Sequence, residues 1–108
     1  MINIKANDIS QVITNGKVVL EVYSSGCLNC QIMSPILSNL EKDFPGISFC
    51  QINADITPDL IQKYKIMSLP TLLIFRHGQL LRTITGVKHP QLLKTIIGQT
   101  LNYPNNIG

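Results

Sequence analysis

Apolar residues fall along this chain in two rhythms, and the switches between them predict its elements. Ile2 and Ile4 flank Asn3 in the short alternation of an edge strand. Asn7 or Asp8 then caps a brief helix whose Ile9, Val12 and Ile13 share one face, and Asn15 and Gly16 end it. From Lys17 to Ser24 the residues Val18, Val19, Leu20, Val22 and Tyr23 leave no polar face, the pattern of a central strand covered on both sides. Glu21 interrupts that run. Beyond Cys27 the period changes: Met33, Ile36, Leu37 and Leu40 recur at helical spacing. Pro35 is expected to kink this helix about a turn earlier, and Phe44, Pro45 and Gly46 stop it.

Ile47 to Ile52 reads as a second buried strand containing Phe49 and Cys50. Thr57, Pro58 and Asp59 open a short helix in cap-then-proline order, reaching about Tyr64. Leu72 to Phe75 is a third apolar strand, His77 and Gly78 make a tight turn, and Gln79 to Thr85 returns as the hairpin partner. Gly86 suggests a bulge or a close backbone approach. His89 and Pro90 start a last helix with Leu92, Leu93, Ile96, Ile97 and Leu101 directed inward. Residues 102–108 read as a frayed polar tail of one domain spanning 1–108. The order β-α-β-α-β-α-β-β-α, without repeat or linker, predicts an α/β fold: a central mixed β-sheet flanked by helices on both faces.

Composition narrows the functional classes. A chain of 108 residues can bury roughly 60–70% of the surface its unfolded form exposes, and 44% hydrophobic residues without Trp point to an aliphatic core. The net charge of +3 is spread over Lys and Arg that stand singly, which argues against a nucleic-acid partner. No apolar run approaches the ~18–20 residues of a membrane span, and Met1 to Ser10 lacks a basic segment followed by an apolar stretch. These features lead to the expectation of a soluble, cytoplasmic protein that does not bind membranes. Three cysteines, an odd number, argue against a disulfide scaffold.

Two of those cysteines, Cys27 and Cys30, stand where a strand turns into a helix. A thiol there meets unpaired backbone N–H groups and the positive end of the helix dipole, which favour thiolate. Their spacing puts them one helical turn apart, close enough to close a small disulfide ring or to share a proton. Thiol–disulfide exchange competes with a metal site or with two inert thiols. Zinc needs about four ligands, usually as two separated pairs, and Cys50, His77 and His89 supply no such spacing; a c-type haem would need His where Gln31 stands. No cofactor is expected. Glu21, on a doubly covered strand, should have a raised pKa unless a lysine such as Lys17 or Lys63 pairs with it. Cys50 reads as a small core residue, and Met67, Leu69, Leu28 and Val87 as an apolar docking patch.

With the strand, the cysteine pair, Pro35, the Leu69-Pro70-Thr71 step and the hairpin ending in Gly86 in place, the sequence resembles the thioredoxin family over about Lys17 to Ile97. The resemblance implies the thioredoxin fold and a protein-disulfide reductase with a Cys27/Cys30 couple. Cys27 would be the nucleophile, Cys30 the resolving thiol, and Glu21, in place of the family's usual buried Asp, its proton acceptor. Pro70 would be a cis-proline beside the disulfide. The Leu69 backbone would pair with an extended substrate, and Gly26, Leu28, Asn29, Met67, Gly86 and Val87 would surround it. Implied partners are disulfide-containing proteins and a thioredoxin-reductase-like flavoprotein, with the chain acting as a monomer. Leu28 and Asn29 replace the family's usual Gly-Pro, Gly26 its Trp and Gln31 its basic residue. These departures leave two alternatives: a binding or adaptor module of the same fold without redox turnover, and a more oxidising oxidase or isomerase. Asn29, unlike proline, brings an N–H expected to lie near Cys27.

Overall fold

The alternation of rhythms is realised element by element in the computed structural model, which describes residues 1–104. In chain order these are β1 (Ile2–Asn3), α1 (Ile9–Ile13), β2 (Lys17–Tyr23), α2 (Leu28–Leu40), β3 (Ile47–Asn53), α3 (Pro58–Lys63), β4 (Thr71–Arg76), β5 (Gln79–Thr85) and α4 (Pro90–Thr100). The strands form one mixed sheet in the order β1-β3-β2-β4-β5. β1, β2 and β3 run parallel, whereas β4 is antiparallel to β2 and to β5. β2, buried from Val18 to Val22, lies at the centre, where both of its faces are covered.

Strand alternation then divides the core. On one face, Met33, Leu37 and Leu40 of α2 and Leu93, Ile97 and Leu101 at α4 pack against Val19, Phe49, Leu72, Ile74 and Ile84. On the other, Ile13 of α1 and Leu60 of α3 cover Val18, Leu20, Val22, Cys50, Ile52, Leu73 and Phe75. Each of these side chains, fully buried, stabilises the fold by roughly 1.5–3 kcal/mol. By the same alternation Glu21 belongs to the face of Val19, the side that α2 covers.

Several expectations are corrected in detail. The irregularity of the hairpin is not at Gly86. Ile74 pairs with Arg82 and Phe75 with Leu80, so Leu81 is the extra, bulged residue. Gly86 is required for its backbone, with φ of +82° and open space where a Cβ would stand. The turn itself matches its reading, with φ of 49° at His77 and 83° at Gly78, the pairing of a type I′ hairpin. Leu92 is 49% exposed rather than inward. Separately, α2 runs from Leu28 to Leu40 with Pro35 inside it, an exposed residue whose missing N–H leaves the Gln31 carbonyl without its helical donor. Tyr103 is also no part of a frayed tail. Its N–H reaches the Gly98 carbonyl at 2.9 Å, its hydroxyl donates to the Pro45 carbonyl at 3.1 Å, and its ring meets Phe44 edge-on; residues 105–108 lie outside the described residues.

Candidate active site

The cysteine pair is built by the exit of β2. After Tyr23 the chain turns through Ser24, Ser25 and Gly26, and the Cys27 N–H donates to the Ser24 carbonyl at 3.3 Å. Cys27 then occupies the N-cap of α2 with extended backbone, φ −92° and ψ 109°, as a capping residue should. Its carbonyl accepts the first helical bond, from Gln31 N–H at 3.2 Å. Its sulfur does what a serine or aspartate oxygen usually does there, accepting from the Cys30 N–H at 3.1 Å. The donor near Cys27 is therefore Cys30's own backbone rather than the Asn29 N–H expected from the sequence.

Cys27 and Cys30 are joined as a disulfide with Cα atoms 5.2 Å apart. The pair is asymmetric: Cys30 is 3% exposed, while Cys27 is half-buried beside exposed Gly26, Leu28 and Asn29. Cys27 is thus the more accessible residue of the pair. Cys50 is free and buried on the opposite face of the sheet, where desolvation, helped by Glu41, pushes its thiol pKa up.

Glu21 pairs in register with Gln51 of β3 and Leu72 of β4 and is completely buried. Neither Lys17 nor Lys63 forms an ion pair with it among the described residues. Nor does its carboxylate bond to Cys30. Instead the Ser34 hydroxyl donates to Glu21 Oε1 at 2.7 Å, and Oε2 is buried without a partner. Burial raises the carboxyl pKa above the ordinary range and the Ser34 bond partly opposes that rise. Ser34 escaped the sequence reading. The signal was its position one helical turn after Cys30, on the same side of α2.

The Leu69–Pro70 peptide is cis, and Pro70 immediately precedes Thr71, the register partner of Val22. It thus stands beside the end of β2 from which the cysteine loop departs. Thr71 Oγ1 donates to the Ser68 carbonyl at 2.6 Å, and Gly86 N–H to the Pro70 carbonyl at 2.8 Å. The Leu69–Pro70 and Gly86–Val87 steps are in this way tied together at the sheet end that carries the cysteines. Leu69 forms no backbone hydrogen bond among the described residues. Of the expected docking patch, Leu28 and Met67 are 76% and 95% exposed, whereas Leu69 and Val87 are half-buried, packed against opposite faces of the core. A cleft of about 440 Å³ opens beside Leu69 and Met67, walled by Ile61 and Ile66, a contribution of the α3 region absent from the sequence reading.

Among the described residues no group of three or more His, Cys, Asp or Glu side chains converges as metal ligands. His77 is exposed in its turn, and His89 caps α4 by accepting from Gln91 N–H at 3.1 Å. No described helix is long and apolar enough to cross a membrane.

Comparison with known proteins agrees with this geometry. The family model described as thioredoxin matches residues 2–99. A thioredoxin of Chlamydia pneumoniae is 28% identical over 85 residues, which are 79% of this chain and 83% of that protein. A chloroplastic M-type thioredoxin of Zea mays is 34% identical over 70 residues, 64% of this chain and 42% of that longer protein. Among solved structures, a mutant thioredoxin from Halobacterium salinarum superposes with a TM-score of 0.85 at 21% identity, covering 96% of this chain and 93% of the other.

Proposed function

The chain belongs to the thioredoxin family and is a thiol–disulfide oxidoreductase by its Cys27–Cys30 pair, and from that premise we propose that it reduces protein disulfides. The observation that carries the reading is the asymmetry of the pair: a reachable outer sulfur at a helix N-cap, and an inner one sealed on the side of a buried carboxyl. In the reduced protein, Cys27 thiolate attacks one sulfur of a substrate disulfide, releasing the first substrate thiolate and forming a mixed disulfide. Cys30 then loses its proton to Glu21 and attacks Cys27. The Cys27–Cys30 bond forms, the bond to substrate breaks, and the second substrate thiolate leaves and takes up a proton. The substrate gains the two electrons that the dithiol gives up.

The free Leu69 backbone, next to cis-Pro70, offers an extended substrate a strand edge to pair with. Met67, Leu28, Gly26, Asn29, Gly86 and Val87 are the residues that would surround it. A flavoprotein reductase would restore the dithiol, and the cytoplasm, with its reducing poise, is the compartment that fits.

The reading is tested with paired variants. Cys30→Ser should accumulate mixed disulfides through Cys27, Cys27→Ser should trap nothing, and the wild type should reduce insulin. Wild-type protein that leaves insulin intact, with neither variant trapping a partner, overturns it. The measured potential of the Cys27–Cys30 couple separates a reductant from an oxidase.

A further inference from the structure

The Ser34 hydroxyl sits inside α2, where a serine commonly bonds back to a carbonyl of its own helix. Here it donates instead across to the sheet, to Glu21 Oε1 at 2.7 Å. That choice has consequences for the carboxyl. One oxygen is engaged, so the group cannot swing freely, and the other, Oε2, is sealed from solvent with no donor among the described residues. An orphaned acceptor oxygen on a fully buried side chain is costly to maintain, and such an atom calls for an explanation.

The surroundings limit what can satisfy it. The carboxyl's neighbours in the sheet are neutral Gln51 on β3 and apolar Leu72 on β4. The α2 face that covers it brings Ser34 and, one turn earlier, Cys30, with Met33 and Leu37 between and beyond them. α4 contributes Leu93 and Ile97 to the same face. Tyr23, further along β2, accepts a hydrogen bond from Asn3 Nδ2 at 2.9 Å and makes none to the carboxyl. Cys30 is thus the proton source that the covering helix supplies, and it carries a proton only in the reduced state.

We propose that Ser34 is a positioning residue for disulfide exchange: by donating to Glu21 Oε1, it favours the carboxylate form and leaves Oε2 as the atom that takes the Cys30 proton when the mixed disulfide is resolved. The inference rests on the exchange chemistry proposed above and adds the device that holds its base. The step balances. Cys30 S–H gives its proton to Glu21 Oε2, the resulting thiolate displaces the substrate sulfur from Cys27, and the carboxyl returns the proton to solvent after turnover.

The test follows resolution with a small aromatic disulfide whose thiol is coloured on release, so that it does not depend on any protein substrate. Ser34→Ala should slow the second thiol release about tenfold at mildly acidic pH, the scale of losing a hydrogen bond to a charged group, and approach the wild-type rate in alkali. Ser34→Thr, which keeps the hydroxyl, should restore the wild-type profile. In a Glu21→Gln background, Ser34→Ala should have no further effect, because the serine acts only through the carboxylate. A carboxyl titration of Glu21 by NMR in the oxidised protein should move upward in Ser34→Ala, and it reads the pair without any turnover. An unmoved titration or pH profile, or an equal loss with and without Glu21, overturns the inference. If the wild type turns over the small disulfide but spares insulin, it is the protein-reductase reading that fails, and the Ser34 variants still decide this one.

Discussion

Glu21 is the residue at which burial and chemistry oppose each other. Its folded pKa is raised above the ordinary 4.5, chiefly by desolvation. For a group raised in this way the favourable contribution is complete below the unfolded pKa, where the carboxyl is neutral in both states. It is lost as pH rises through the folded value and a buried charge must be kept. Glu21→Gln keeps the length and can still accept from Ser34, yet it carries no charge. It is expected to be more stable than the wild type at neutral pH by about 1–2 kcal/mol, roughly 4–8 °C in Tm per kcal/mol, with the gain disappearing in acid. Thermal melts across pH check this, since a gain constant with pH would come from packing. The same variant should resolve mixed disulfides slowly, the cost of removing the base.

At the scale of elements, α4 separates residues that its sequence makes look alike. Leu92 and Leu93 are adjacent and equally apolar, but the helix turns ~100° between them, leaving Leu92 49% exposed and Leu93 fully buried. Leu93→Ala should cost about 2–5 kcal/mol and Leu92→Ala less than about 0.5 kcal/mol, read as midpoints of urea unfolding. α2 shows a different economy. Its N-cap is a cysteine, so the bond that orders the helix start also presents a donor to the outer sulfur. One backbone N–H therefore serves both folding and the site.

Across the whole molecule the sheet separates one thiol from the other two. Cys50 is buried on the face covered by α1 and α3, while Cys30, in the first turn of α2, lies on the other. An alkylating reagent followed by mass spectrometry should leave the native oxidised protein unmodified. After reduction it should modify Cys27 first, and Cys50 should react only when the protein unfolds globally; rapid labelling of native Cys50 would contradict its burial. The elements, the central place of β2, the tight turn at His77-Gly78 and the cysteines at a strand-to-helix junction were all legible in the sequence, because period, turn chemistry and capping are local properties of the chain. The candidate site was legible only in its residue types. Which atoms meet depends on register between strands distant in sequence and on the rotation of α2 about its axis, and both are decided when the sheet and helices pack. That is why Ser34 rather than a lysine or Cys30 bonds Glu21, why the Cys30 N–H rather than that of Asn29 reaches Cys27, and why Leu81 rather than Gly86 is the bulge. The sequence by itself determined that a buried acid and a reactive thiol pair would share this fold, and tertiary structure alone decided the contacts between them.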